Sequence, residues 1–287
     1  MLSSLFTHLS STSGIHVSLK AEKVFELGGI AVTNSMLYGL VVAVFMMIVM
    51  VTTSRKSRVK ARKGFVAIIE MVVDFVVGML EGVFGSREKA YKYAPIYATF
   101  FLFIMFNNVL GLLPVVGPGI EANGSPLFRP FTADLNGTIV MSVFAIITVQ
   151  VLSIRAQGLK GHLTHYFTDK PMNPINFFIG ILEVFGEFTR MLSLSLRLFL
   201  NTAVGEILIA VFTSLILSAG RTPIAVIPII LFELLVAGIQ AYVFTVLTAT
   251  YLGLAIAHAH DDEHHDAEAH KVEELPSDVN QKVTTSA

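Results

Sequence analysis

Hydrophobic and polar positions alternate in long blocks along this chain. Three apolar runs, 34–53, 94–113 and 135–154, each have about the 20 residues that a helix needs to cross a bilayer. The stretch 174–218 is apolar and helical in its periodicity throughout. At 1.5 Å per residue it would reach roughly 67 Å, well beyond the ~30 Å hydrocarbon core, so it must tilt, bend or lie partly outside. A turn at 219–223, Ala-Gly-Arg-Thr-Pro, separates it from a second long run, 224–257, that returns. A sixth stretch, 64–84, is interrupted by Glu70, Asp74 and Glu81 on one helical face. That pattern fits an amphipathic helix in the membrane interface better than a span. The predicted fold class is an all-α polytopic membrane protein. It has about five membrane-crossing helices and one amphipathic interfacial helix, and the last two helices form a long, tilted antiparallel hairpin.

Outside these blocks the chain is polar. Residues 1–33 read as an exposed N-terminal segment containing a short amphipathic helix. Residues 34–257 form the membrane domain. Residues 258–287 are a polar tail holding five of the nine histidines, expected to be disordered after about His265. Residues 1–20 lack a basic start followed by an apolar core, so the first apolar run is expected to serve as an uncleaved anchor.

The placement of charge adds a topology. Six basic residues crowd positions 55–63, and further basic residues follow at Arg87, Lys89, Lys92, Arg155, Lys160 and Lys170. These ends are expected in the cytoplasm, with the N-terminus outside and the C-terminus cytoplasmic. The Pro- and Gly-rich stretch 115–134 carries Arg129 as its only basic residue and is expected outside. The expected location is the inner or plasma membrane.

Composition narrows the chemistry. Hydrophobic residues make up 54% of the 287 and charged residues only 14%, as in polytopic membrane proteins. Cysteine is absent, which removes disulfides, thiolate metal sites and cysteine catalysis. The net charge of -1 offers nothing to a nucleic acid. No metal site or cofactor is expected, because the His-rich tail reads as a solvated segment.

Against this background Arg197 stands out. It lies in the middle of the first long run, where an ionised side chain costs from about 2.5 to more than 10 kcal/mol and usually faces a partner or a water-filled path. At 100° per residue, Glu183, Glu187, Arg190, Ser193 and Asn201 lie within about 80° of Arg197, on one stripe, while Glu206 lies near 180°. On the second run Glu233 and Gln240 are seven apart and share a face. Counted back from the turn near Gly220, Glu206 falls opposite about position 235 and Arg197 opposite about 244. Glu206 and Glu233 are therefore expected close together, where two carboxyls would share a proton. The picture is of two polar paths from opposite sides with a cation between them. Arginine neither releases its proton nor lets another pass, so a moving acid on a partner subunit is implied.

Several stretches carry a family resemblance: Asn107-Asn-Val-Leu-Gly-Leu-Leu-Pro114, Thr132-Ala-Asp-Leu-Asn136, Ser193-Leu-Ser-Leu-Arg-Leu-Phe-Leu-Asn201, Val204-Gly-Glu206, and the run from Ile239-Gln240 to Tyr251-Leu252. In order and spacing the chain resembles subunit a of the bacterial F-type ATP synthase. The resemblance covers about 94–255. It implies a proton-translocating stator subunit of a rotary motor, without a catalytic site of its own. Its partners would be a ring of c subunits facing 174–257, the peripheral-stalk b subunits, the remaining F0/F1 subunits and membrane lipid. Arg197 would separate two half-channels. Asn108, Asn201, Glu206, Glu233 and Gln240 would line the outer one, and Glu183, Thr189, Arg190 and Ser193 the cytoplasmic one. Many family members pair a His with a Glu at the positions of Glu206 and Glu233; here both are Glu.

Other readings stay open on the residues alone. Asn108 serves a path or merely bridges helices, and Glu183 and Glu187 line a path or a solvated helix end. A stand-alone ion or substrate transporter is the alternative function, although such proteins usually show internal repeats, and none is convincing here.

Overall fold

The computed structural model describes residues 23–27, 30–56, 64–113, 116, 121–122, 125–126, 128–166, 174–218 and 226–273. Six helices carry the architecture: α1 Asn34–Lys56, α2 Phe65–Phe84, α3 Arg87–Gly111, α4 Leu135–Tyr166, α5 Pro174–Ser218 and α6 Ile227–Glu273. Five of them contain segments long and apolar enough to cross a membrane: Asn34–Arg55, Arg87–Gly111, Leu135–Ala156, Gly180–Leu215 and Ile227–Ile256. The chain is an all-α, multi-pass membrane protein.

Three details differ from the expectations. The exposed N-terminal helix is replaced, where the chain is described, by an antiparallel hairpin of β1 Lys23–Leu27 and β2 Ile30–Thr33. The two strands pair Leu27 with Ile30 and Glu26 with Ala31, and their Val, Phe and Ile residues suit a strand better than a helix. Residues 1–22 lie outside the described residues. The irregular stretch between α3 and α4 holds a two-residue antiparallel pair, β3 Glu121–Ala122 with β4 Ser125–Pro126. Finally, α6 continues past His265 to Glu273. The tail is polar, but it contains no Gly or Pro before Pro276, so nothing local stops the helix.

Two compact units emerge, one built from Met1–Ala145 with Thr189–Leu247, the other from Ile146–Phe188 with Thr248–Ala287. In the second unit Val149, Leu152, Ser153, Thr248, Ala249 and Leu252 are buried. There α4 is interrupted at Gly158, whose φ of 80° only glycine adopts without strain.

The first unit holds the core that positions the candidate residues. The apolar stripe of α2, Ile69, Val76, Val77 and Leu80, is buried. Its seam with α3 is stiffened by ring contacts, Phe84 with Tyr93 at 5.3 Å and Phe75 with Phe101 at 5.9 Å, each adding roughly 0.5–1.5 kcal/mol beyond area. Gly85 ends α2 in a left-handed conformation, its N–H donating to the Glu81 carbonyl at 2.9 Å. The α6 ring of Phe244 meets Phe100 of α3, and Tyr242 meets Phe75 of α2.

Between α3 and α4 the chain returns through Phe128–Pro130, a single 3-10 turn, Phe131–Ala133, and Asp134. The Phe131 ring seats against α1 and α4 at glycines. A Cβ at Gly39 would fall 2.8 Å from the ring, and one at Gly137 would fall 2.7 Å from the Phe131 carbonyl. Pro130 presses in the same way on Gly111 at the end of α3. Asp134 then caps α4, its Oδ1 accepting the Asn136 N–H at 3.1 Å.

Candidate functional site

The candidates on α5 divide between its faces. Leu194, Ser195 and Leu198 are buried, and Ser195 donates to the Thr138 hydroxyl of α4 at 3.2 Å. That contact turns the opposite face outward, leaving Ser193, Leu196, Arg197, Leu200 and Val204 exposed. Arg197 opens onto a groove of about 610 Å³ lined by Leu200, Asn201 and Val204 of α5 and by Val236, Ile239, Gln240 and Val243 of α6. Among the described residues the guanidinium has no ion-pair partner.

Two contacts define how α5 and α6 meet here. Asn201 Nδ2 donates to Gln240 Oε1 at 3.5 Å. The Glu233 carboxyl lies directly over Gly205, where a Cβ would come 2.6 Å from its Cδ. Higher numbers on one helix face lower numbers on the other, so the two run antiparallel at this point. Gln240 is buried and its Nε2 has no hydrogen-bond partner among the described residues.

Glu206 faces away from the groove. Its Oε2 lies 3.7 Å from Nη2 of Arg129, whose side chain is only 7% exposed. The same Nη2 donates to the Ala133 carbonyl at 3.1 Å. No hydrogen bond joins Glu206 to Glu233 among the described residues. Glu206 instead has a cation beside it, because Arg129 stands where the sequence reading counted none.

Asn108 ties α3 to both neighbours. Its Oδ1 accepts from Thr132 at 2.7 Å and from Thr202 of α5 at 3.5 Å. Asn107 beside it bonds back to the Phe103 carbonyl through Nδ2 at 2.8 Å, and its backbone carbonyl accepts the Tyr38 hydroxyl at 3.0 Å.

Asn201, Gln240 and Arg197 are therefore brought to one groove, and Asn108 and Glu206 to one polar cluster with Arg129, Thr132 and Thr202. Glu233 joins α5 at Gly205. Thr189, Arg190 and Ser193 are exposed on α5, and Glu187 is half-buried. The Glu183 side chain lies outside the described residues, as do the side chains of the histidine tract from His258. Among the described residues no three His, Cys, Asp or Glu side chains gather as a metal site.

The comparison with known proteins decides the family. Residues 36–253 match the family described as the ATP synthase A chain. The chain belongs to that family. It is 34% identical over 226 residues to "ATP synthase subunit a 2" of Chlorobaculum tepidum, covering 76% of this chain and 60% of that protein. It is 31% identical over 230 residues to "ATP synthase subunit a" of Moorella thermoacetica, covering 80% of this chain and 94% of the relative. A third family member, from Anaeromyxobacter sp., is 31% identical over 77% of this chain and 53% of its own length. The chain thus spans little more than half of some of the relatives it matches.

Sequence reasoning overlooked Arg129, Thr132, Thr202 and Gly205. Arg129 had a visible signal, a lone cation beside Pro130 in a stretch otherwise without basic residues. It was read only as a marker of sidedness. Gly205, next to Glu206, had the signal of a glycine inside a long helix, which often marks a close approach.

Proposed function

We propose that this chain is the proton-translocating stator subunit of a rotary ATP synthase, working against a ring of c subunits beside the peripheral-stalk b subunits and the remaining F0/F1 subunits. The observation that carries the reading is Arg197, a cation without an ion-pair partner among the described residues, on the open side of a mostly apolar groove along a membrane-crossing helix. Left to lipid, that charge would be costly; facing a carboxylate on a neighbouring subunit it would be satisfied. Family membership supports the choice of a ring carboxylate as that partner.

In this scheme a proton passes from outside along Asn108, Asn201, Glu206, Glu233 and Gln240 to neutralise a ring carboxylate. The ring turns, and the proton leaves by the cytoplasmic path of Glu183, Thr189, Arg190 and Ser193. Arg197 attracts the deprotonated carboxylate and, because it holds its own proton, blocks a direct leak. Each proton supplies about 2.3 kcal/mol per 100 mV of membrane potential. The N-terminus lies outside and the C-terminus in the cytoplasm, as the basic clusters suggest. Residues 34–257 form the membrane domain, and 174–257 is a tilted hairpin that meets the ring.

The test is ATP-driven acidification of inverted vesicles carrying Arg197→Ala, with passive leak read after the soluble motor is stripped. Loss of pumping with leak kept or raised supports the scheme. Pumping at the wild-type rate overturns it and favours an ordinary transporter.

A further inference from the structure

The proposed outer path contains a cation of its own. Arg129 stands on the return segment between α3 and α4, and its side chain is buried. Three contacts hold this segment in place. Phe131 is wedged against Gly39 and Gly137, Pro130 rests on Gly111, and Thr132 donates to Asn108. From that footing Arg129 Nη2 is divided between the Ala133 carbonyl and Glu206 Oε2. The segment therefore touches two outer-path candidates directly, Asn108 through Thr132 and Glu206 through Arg129.

An arginine cannot relay a proton, because it does not release one near neutral pH. What it can do is orient a carboxylate. Glu206 Oε2 lies 3.7 Å from Arg129, and Oε1 makes no hydrogen bond or ion pair among the described residues, so it is the oxygen offered to a proton. We infer that Arg129 is a positioning residue of the outer path: it pins Glu206 by one oxygen and presents the other to the protons that pass. The inference rests on the function proposed above, and it deepens that reading by giving Glu206 a single working atom.

The experiment uses membranes holding the assembled complex, stripped of the soluble motor. Passive proton flux per assembled complex is recorded while the outer pH is varied. The variants are Arg129→Gln, Arg129→Lys, Glu206→Gln and the double Arg129→Gln/Glu206→Gln. Arg129→Gln is expected to lower the flux by about tenfold, the scale of leaving a buried charge without its partner, and to move the outer pH of half-maximal flux. Arg129→Lys should restore most of the flux. The double variant should match Glu206→Gln alone, because residues acting as one unit do not add. Flux unaffected by Arg129→Gln, a further loss in the double variant, or a smaller amount of complex with an unmoved half-maximal pH would each overturn the inference.

A second measurement separates this from the proposed function. The chain has no native cysteine, so Arg129→Cys with Glu206→Cys can be bridged by a bifunctional thiol reagent matched in span to an Arg–Glu pair. A bridge supports the pairing even if Arg197→Ala pumps normally and the transport scheme falls. Absence of a bridge in well-assembled membranes overturns the pairing itself.

Discussion

Arg129 has a carboxylate and a carbonyl at its guanidinium and almost no exposed surface. Arg197 lies open in an apolar groove and has no ion-pair partner among the described residues. The contrast extends to their surroundings. Around Arg129, contacts within the chain are made by Asn108, Thr132, Thr202 and Glu206 Oε2. Around Arg197 the lining is mostly apolar, and among the described residues the buried Gln240 amide nitrogen has no partner. A membrane protein with no use for an open charge would bury or remove it. One region is thus finished by its own residues, and in the proposed function the other is completed by something outside the chain.

The comparison can be broken most severely at Arg197. Arg197→Ala should reduce ATP-driven acidification to background, while the thermal midpoint of the isolated chain stays level or rises, since removing an unpaired charge from a span relieves a penalty. A fall in the midpoint would mean that Arg197 has an internal structural role after all. Gly205→Ala comes next. The added Cβ meets the flexible end of Glu233, which can swing aside. Proton flux should fall several-fold while stability changes by less than about 1 kcal/mol. Unchanged flux would show that the seat of Glu233 does not matter.

Smaller effects belong to the self-contained region and should appear in stability. Thr132→Val removes the shorter of the two bonds to Asn108 Oδ1 and leaves the one from Thr202 at 3.5 Å, a loss of about 1 kcal/mol in denaturant unfolding of the detergent-purified chain. Asp134→Ala removes the cap of α4 and should cost about 1 kcal/mol by the same measurement. If either abolished pumping while leaving stability intact, the division between the two regions would be wrong.

How much of this was legible in the sequence follows from the range of each interaction. The exposure of Arg197 and the opposite facing of Glu206 follow from helical spacing within one element, which local pattern reports well. The five apolar helices follow from length and hydropathy. The partner of Glu206 does not, because Arg129 and Glu206 belong to different elements and nothing periodic links them. The N-terminal hairpin differs from the expected helix because polarity was weighed above the β-branched and aromatic content of 23–27 and 30–33. The tail was misread in the opposite sense, since a polar run without breakers can continue a helix already begun at Ile227.

The wedge of Phe131 between Gly39 and Gly137 also sets an order of events during synthesis. Both glycines lie on helices that leave the ribosome early, on either side of the segment they hold, so the seat for Phe131 exists once α4 has entered the bilayer. Arg129 is then in place ahead of its partner, because Glu206 has not been translated. The carboxylate reaches it only with α5, so completion of the ion pair is timed to the insertion of the helix that carries Arg197.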